Sequence, residues 1–218
     1  MRNAFYLLID IPAFFLYALI HTLLASFKVK NYFALRLGNM MAFYRLVYNL
    51  LSLFLLFYLF EFLPRPDFEI YDLPYPFDLL ILIPQFLALA GIIWTFRYFS
   101  LYEFLGISQI IRLTNGTYLL HGEHGNSNID SSENLTLKIE GPYKVVRHPL
   151  YLFTLLFLLF RPTMDLFYFV SLICIIAYFY IGSFYEERKL AAVFGEEYKK
   201  YQETVPRLFG WQVFRFIH

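Results

Sequence analysis

Long apolar runs constrain this chain more than any other feature of its sequence. Four runs of about 20 residues carry few charges, over residues 5–24, 43–63, 79–96 and 166–185. A helix needs about 20 residues to cross the ~30 Å hydrocarbon core of a bilayer. Because 59% of the 218 residues are hydrophobic and only 16% are charged, a single soluble core has no room for these runs. The pattern predicts an all-α integral membrane protein.

A fifth apolar run, over residues 150–160, is shorter than the others. Val145 and Val146 extend it on one side, and Arg161 and Pro162 end it on the other. We expect a short fifth transmembrane helix that forms a hairpin with the helix at 166–185. Residues 161–165 would form a tight turn in which Asp165 caps the returning helix. A cytoplasmic, helical C-terminal tail follows.

The distribution of charge predicts the orientation of these helices. The first loop carries basic residues and no acidic one, and the third loop and the tail are also basic. The second loop carries Arg65 against Asp67, Glu69 and Asp72. Since short cytoplasmic loops carry an excess of Lys and Arg, we predict five crossings of the cell inner membrane, with the N-terminus outside and the C-terminus cytoplasmic.

The chain is predicted to be a single membrane domain over residues 1–218. Residues 1–113 would form the N-terminal helices and a linker, residues 114–140 a flexible cytoplasmic loop, and residues 141–218 the hairpin and tail. Within the loop, His121 and His124 have no further ligands at useful spacing, so no metal site is expected. Cys174 alone offers no disulfide, and a net charge of +1 gives no general attraction to nucleic acid.

Two charged clusters on either side of the predicted hairpin carry most of the reactive side chains. The first is the stretch GPYKVVRHPLY at residues 141–151, and the second contains Glu186 and Glu187. Helical spacing places Arg147, His148 and Tyr151 on one face, and the hairpin returns both glutamates to the same membrane level. This arrangement is typical of an enzyme site. The alternative is that these side chains are topology anchors, an aromatic belt and a solvated helix end.

These motifs resemble a known family of membrane enzymes. The order GPYxxxRHPxY, Glu186-Glu187, FGEEYxxY at residues 194–201 and VPR at residues 205–207 resembles the isoprenylcysteine carboxyl methyltransferase and phospholipid methyltransferase superfamily. Weaker motifs at residues 21–26, 44–49, 104–109 and 161–164 resemble its bacterial branch, which contains methanethiol S-methyltransferases and nitrite-reductase-associated membrane proteins.

The resemblance implies transfer of a methyl group from S-adenosylmethionine to a small or lipophilic acceptor that arrives from the bilayer, with a thiol favoured. Carried over by position, it implies five cofactor-binding residues: Tyr143, His148, Tyr151, Glu186 and Glu187. Arg147 and Arg207 are predicted to be catalytic, because their charge favours a thiolate. With a carboxylate acceptor, the same arginines would serve as anchors.

Polar residues of the N-terminal helices form a second candidate set. His21 lies in the first predicted helix, and Arg45, Asn49 and Ser52 form a stripe on the second. Polar and ionisable groups inside a span usually face the bundle interior and mark function. We therefore expect His21, Arg45 and Asn49 to line the entrance for the acceptor. The alternative is that they pair with each other or with interface water.

One residue departs from the family pattern. Phe153 stands two positions after Tyr151, where the family usually has a small residue. Its ring would either reshape the pocket or change the activity. Isoprenylcysteine carboxyl methylation, lipid amine methylation and a non-catalytic membrane helper that retains the fold remain alternatives. Sterol-reductase-like proteins, which bind a nicotinamide cofactor, would need more than five spans.

Overall fold

The structure is a computed structural model, and it describes residues 2–118 and 137–208. The described residues are mostly helical, as the composition predicts. His121, His124 and most of the predicted loop at 114–140 lie outside the described residues, as does the tail beyond Leu208.

The described helices and strands follow one another in a simple order. They are α1 (Arg2–Ala25), α2 (Phe27–Leu37), α3 (Tyr44–Phe62), β1 (Glu69–Asp72), α4 (Phe77–Leu80), α5 (Leu82–Phe96), α6 (Leu101–Leu105), α7 (Ile107–Thr114), α8 (Pro149–Leu159), β2 (Thr163–Asp165), α9 (Leu166–Phe194) and α10 (Glu196–Thr204). Two 3₁₀ segments, Gly38–Phe43 and Gly141–Lys144, precede α3 and α8.

Four helical segments in the described part of the chain are long and apolar enough to cross a membrane. They are Phe5–Ala25, Phe27–Phe62, Phe77–Phe96 and Leu166–Phe194. The prediction of four long apolar helices is therefore confirmed. Their exposed side chains include many Leu, Ile and Phe residues. Such surfaces suit lipid, where each backbone polar group is satisfied within its own helix.

The fifth apolar run forms α8, which has 11 residues. At 1.5 Å per residue α8 is about 16 Å long, roughly half the thickness of the hydrocarbon core. The predicted helical extension through Val145 and Val146 is wrong, because α8 begins at Pro149 and His148 has a non-helical φ of −122° and ψ of 66°. A proline ring disfavours the α conformation of the residue before it. The number of crossings and their orientation stay predictions.

One of the two compact units of the described chain contains residues 2–7, 65–98 and 137–208. Within it α5 packs along α8, which also contacts α9. The Gln85 side chain donates to the Phe157 carbonyl at 3.1 Å. The ring of Phe153 lies directly over Gly91, where any Cβ atom would overlap it. Gly91 is therefore the residue that allows α5 and α8 to approach closely.

We expect Gly91→Ala to lower the stability of the protein by about 1–3 kcal/mol, the usual cost of overpacking. The added methyl group would overlap the Phe153 ring. The double variant Gly91→Ala/Phe153→Ala should therefore lose less stability than the sum of the losses in the two single variants. Gly182→Ala in α9 is the matched control, since nothing lies within 4 Å of its added Cβ. Thermal unfolding in detergent measures all four variants, including Phe153→Ala alone. Additive losses in the double variant would contradict direct packing of the ring on Gly91.

The same unit contains a small two-stranded sheet that the sequence pattern did not predict. β1 pairs with β2 in antiparallel fashion, with Glu69 opposite Asp165, where a tight turn was predicted. The Tyr71 hydroxyl donates to the Arg161 carbonyl at 3.2 Å. The predicted cap is confirmed, because Asp165 Oδ1 accepts from the Tyr168 N–H at 2.7 Å. The sheet thus fixes the segment that starts α9.

The second unit contains residues 8–64 and 99–118 of the described chain. Phe14 of α1 and Phe60 of α3 meet edge to face, with ring centroids 5.9 Å apart. At the other end of this helix pair, the Tyr44 hydroxyl donates to the Leu24 carbonyl at 2.8 Å. That carbonyl lies in the last turn of α1, where helix carbonyls lack intrahelical partners. Contacts near both ends therefore hold α1 against α3.

Candidate functional site

A buried carboxylate, Glu187, is the centre of a charged cluster in the first unit. Its side chain is 2% exposed. Arg147 and Arg207 each donate to it from Nε and Nη2, and His148 and Gln202 each donate from Nε2, at 2.8–3.2 Å. A carboxylate has about four lone-pair sites, and these six contacts include two bidentate guanidinium pairs. The acceptor capacity of Glu187 is filled by the protein itself.

Arg147 fastens the end of α10 to the segment that precedes α8. Its side chain is 8% exposed, and besides Glu187 it donates from Nη1 to the Val205 carbonyl at 2.5 Å. The backbone N–H of Arg147 donates to the Pro206 carbonyl at 2.9 Å, and the next N–H donates to the Arg207 carbonyl at 3.1 Å. The predicted catalytic residue Arg147 is thus held in a mainly structural network.

Glu186, the neighbour of Glu187, has a very different environment. Its side chain is 49% exposed, and it accepts a hydrogen bond of 2.6 Å from the Tyr151 hydroxyl. The Tyr151 ring stacks on His148 and on Phe179, with centroid distances of 5.3 and 4.4 Å. The structure therefore brings Glu186, Tyr151 and His148 together and leaves the Glu186 carboxylate half exposed.

His148 lies between the two carboxylates. Its Nδ1 is 3.3 Å from Glu186 Oε2, and its Nε2 is 3.2 Å from Glu187 Oε1. Burial by itself lowers the pKa of His148, but the hydrogen bonds and negative charges of Glu186 and Glu187 outweigh it and raise the pKa above its ordinary value. A protonated ring donates to both glutamates at once.

We expect the contribution of His148 to stability to fall as pH rises. Because the folded protein raises its pKa above 6.5, this contribution is fully present below about pH 6.5 and is lost as pH passes through the higher folded pKa. The difference in thermal midpoint between wild type and His148→Gln should therefore be larger at about pH 6 than at about pH 8.5. A difference that is constant or grows with pH would show that the ring is not held protonated.

Two buried tyrosines of α10 pack next to the charged cluster. Tyr198 and Tyr201 are buried with Val205, and the Tyr201 hydroxyl donates to the Tyr143 carbonyl at 2.6 Å. Burial and the charge of Glu186 raise the pKa of Tyr143, so its phenol is neutral at pH 7. The predicted cofactor residue Tyr143 is thereby positioned through its backbone.

Arg207 is the more accessible of the two arginines. Its side chain is 22% exposed, and its guanidinium carbon lies 3.6 Å from the centroid of the Phe184 ring. The guanidinium thus makes a cation–π contact with Phe184 and also pairs with Glu187. An anion that approaches the cluster therefore meets Arg207 more readily than Arg147.

Several residues of this cluster were not predicted from the sequence. Gln202, Phe179 and Phe184 were not singled out, although each contacts a predicted site residue. The three-residue spacing of Tyr198 and Tyr201 gave a usable signal for a shared helix face. Nothing in the local sequence marks Phe179 among so many aromatic residues.

Phe153 does not lie with the charged residues. Two positions along a helix differ by about 200°, so Phe153 projects from the side of α8 roughly opposite to Tyr151. Its ring lies on Gly91 of α5. The departure from the family pattern therefore affects the packing of α5 and α8, and the cluster around Glu187 is built without it.

The predicted entrance residues all lie in the second unit. His21 contacts Tyr48 and Ser52, and Asn49 donates to the carbonyl of Phe104 at 2.9 Å. Arg45 packs against the turn between α6 and α7, at Gly106, whose φ of +90° suits glycine. The role of these residues at an entrance stays a prediction.

No group of three or more His, Cys, Asp or Glu side chains that could hold a metal ion occurs within residues 2–118 and 137–208. The charged cluster described above instead offers carboxylate, guanidinium, imidazole and phenol groups. These are groups for binding an organic ligand that carries charges and hydroxyls.

Two curated proteins are similar to part of the chain. Methanethiol S-methyltransferase of Pseudomonas deceptionensis is 38% identical over 66 residues, and methanethiol S-methyltransferase 1 of Bradyrhizobium diazoefficiens is 34% identical over 70 residues. These segments cover 30% and 32% of this chain but 25% of each relative, so the chain spans about a quarter of the length of the curated relatives it matches. No family model and no solved structure matches significantly. The predicted resemblance is thus supported for methanethiol S-methyltransferases over about a third of the chain, and the broader superfamily stays a prediction.

Proposed function

We propose that this protein is a membrane methyltransferase that uses S-adenosylmethionine and methylates a small or lipophilic acceptor, with a thiol favoured. One observation carries the proposal. The half-exposed Glu186 accepts from Tyr151 and lies beside His148, whose ring is held by the buried carboxylate of Glu187, in a chain that is partly similar to two methanethiol S-methyltransferases. The membrane helices suit an acceptor that partitions into lipid.

The residues of the cluster fit the chemical groups of this cofactor. An exposed carboxylate such as Glu186 suits an ammonium group or ribose hydroxyls. Aromatic rings such as that of Phe179, which stacks on Tyr151, attract a positively charged sulfonium, and Arg207 suits an anion. When bound, the cofactor supplies an electrophilic methyl group on a positively charged sulfur.

We assign different roles to the two glutamates and to the two arginines. Glu187 has no acceptor capacity left and is therefore a positioning residue that sets His148 and Arg207 in place. Arg147 holds the chain after α10. Glu186 and Arg207, the more accessible member of each pair, are the residues proposed to contact ligands.

For methyl transfer, the protein mainly has to place the cofactor and the acceptor. Methyl transfer is a displacement in which positive charge disappears, so the protein gains rate mostly by alignment and by excluding water. No covalent protein nucleophile is required. A thiol must react as thiolate, which Arg207 favours electrostatically.

The test is equilibrium binding of S-adenosylmethionine to the detergent-purified protein, with a reduced nicotinamide dinucleotide as the control ligand. Mass spectrometry then follows methylation of a thiol, a prenylated cysteine carboxylate and a lipid amine. Selective binding together with a methyl thioether product supports the proposal. Methylation of the carboxylate or the amine alone would overturn the thiol preference. A folded protein that binds no S-adenosylmethionine would overturn the enzyme and favour a helper role.

A further inference from the structure

α2 connects two apolar helices of the second unit. The Tyr44 hydroxyl at the start of α3 donates to the Leu24 carbonyl at the end of α1, so these two helix ends lie at one level. α3 has 19 residues and is therefore about 28 Å long, which matches the hydrocarbon core without α2. Ser26, with an extended ψ of 148°, separates α2 from α1. We conclude that α2 lies where α1 and α3 meet the membrane surface.

One face of α2 is exposed from its first turn to its last. Lys28, Tyr32, Leu35 and Arg36 are spaced i, i+4, i+7 and i+8, so they share this face. All four are exposed, Leu35 by 84% and Tyr32 by 51%. The Arg36 guanidinium carbon lies 4.7 Å from the centroid of the Tyr32 ring. The Phe33 side of the helix is partly buried instead, because its ring contacts the first residue of α3.

The positive charge of this face has no acidic neighbour in the described part of the second unit. No acidic residue occurs between Asp10 and Glu61 in the sequence, and these two lie about 22 and 26 Å along their helices from the ends that flank α2. The third acidic residue of the described unit, Glu103, accepts from Arg112 at 2.6 Å and from Gln109 at 2.9 Å. The face therefore suits an anion supplied from outside the unit.

We propose that the exposed face of α2, formed by Lys28, Tyr32, Leu35 and Arg36, docks on anionic phospholipid headgroups of the bilayer. Lys28 and Arg36 are about 12 Å apart along the helix axis, so each can reach a separate lipid phosphate. Tyrosine is enriched at membrane–water interfaces, and Leu35 would enter the boundary between headgroups and acyl chains. Basic residues near an anionic membrane surface are attracted to it. The inference does not depend on the proposed function.

α10 shows how a helix that faces water differs from α2. Its exposed side chains carry both signs of charge, and Lys199 pairs with Glu196 at 2.6 Å. Its tyrosines, Tyr198 and Tyr201, are buried rather than exposed. Lys199 and Lys200 are both exposed, so Lys199→Gln/Lys200→Gln removes the same charge as Lys28→Gln/Arg36→Gln. It is therefore the matched control.

The experiment compares two lipids of different charge. The protein is purified in an uncharged detergent, and its thermal midpoint is measured with added phosphatidylglycerol, which is anionic, or phosphatidylcholine, which is zwitterionic. Because a ligand that binds the folded state stabilises it, phosphatidylglycerol should raise the midpoint by about 2–4 °C more than phosphatidylcholine. Lys28→Gln/Arg36→Gln should lose most of this difference, and the control variant should keep it. Equal midpoints with the two lipids, or the same loss in both variants, would overturn the proposal.

A second readout shows what the face contacts in a bilayer. A fluorescent label is attached to Leu35→Cys in a Cys174→Ala background, and the protein is placed in vesicles with brominated phosphatidylglycerol or brominated phosphatidylcholine at equal mole fractions. Bromine quenches only nearby labels, so we expect stronger quenching by phosphatidylglycerol, and a smaller difference in Lys28→Gln/Arg36→Gln. Equal quenching by the two lipids would overturn the headgroup preference. An unquenched label would overturn the proposal by showing that the face meets water or another protein.

Discussion

Replacing Glu187 with glutamine should lower the thermal midpoint of the detergent-solubilised protein by about 6–20 °C. The substitution removes the negative charge that Arg147, Arg207 and His148 share at Glu187. Removing one partner from a buried ion pair costs about 3–5 kcal/mol, and each kcal/mol shifts the midpoint by about 2–4 °C in a protein of this size. Circular dichroism at 222 nm or intrinsic fluorescence during heating measures the shift.

Glu203→Gln is the control for this experiment. Glu203 is an exposed residue of α10 in the same unit, so its substitution removes one negative charge without disturbing the cluster. We expect its midpoint to stay within about 2 °C of wild type, as is usual for surface substitutions. If Glu187→Gln shifts the midpoint no more than this control, then Glu187 does not hold the two arginines in place.

Replacing Glu186 with glutamine should weaken cofactor binding and leave stability nearly unchanged, unlike the Glu187→Gln variant. We expect binding of S-adenosylmethionine to weaken by about 10–100-fold, because a hydrogen bond to a charged group contributes about 1.5–3 kcal/mol. The thermal midpoint should change little, because the Glu186 side chain is half exposed and amide oxygens still accept from Tyr151. Isothermal titration calorimetry on the purified protein measures the affinity.

Each of the two adjacent glutamate variants therefore serves as a control for the other. Glu186→Gln is expected to lose affinity and keep stability, whereas Glu187→Gln is expected to lose stability first. Unchanged affinity in a folded Glu186→Gln protein would contradict its assignment as the ligand-contacting carboxylate. A stability loss in Glu186→Gln as large as that in Glu187→Gln would contradict the division of roles between them.

The apolar architecture could be predicted from local sequence because helix formation in lipid depends on the length and composition of each run. The four long apolar helices appear at the predicted places, and Asp165 caps α9 through a bond to a residue three positions away. The two-stranded sheet was missed because β1 and β2 are far apart in sequence, and neither strand alternates clearly between apolar and polar residues.

The motif residues predicted around His148 do meet, but their roles did not follow from their spacing. Neighbouring residues on a helix point about 100° apart, so one of two adjacent glutamates turns inward. The sequence holds no local sign of which one. That choice depends on Arg147 and Arg207, which reach Glu187 from the segments before α8 and after α10. The position of the Phe153 ring also could not be predicted from local sequence, because the space it occupies depends on Gly91 of another helix.

The amino-acid sequence by itself determined the apolar helices, the cap at Asp165 and the charged residues of the cluster, although not Gln202 or the aromatic residues that contact them. Those properties depend on composition and on short spacings along one helix or turn. Only the tertiary structure decided that all acceptor sites of Glu187 are filled, that Glu186 is accessible, and that His21 contacts Tyr48 and Ser52. Burial and hydrogen-bond saturation are set by groups from distant segments, so they exist only once those segments have packed together.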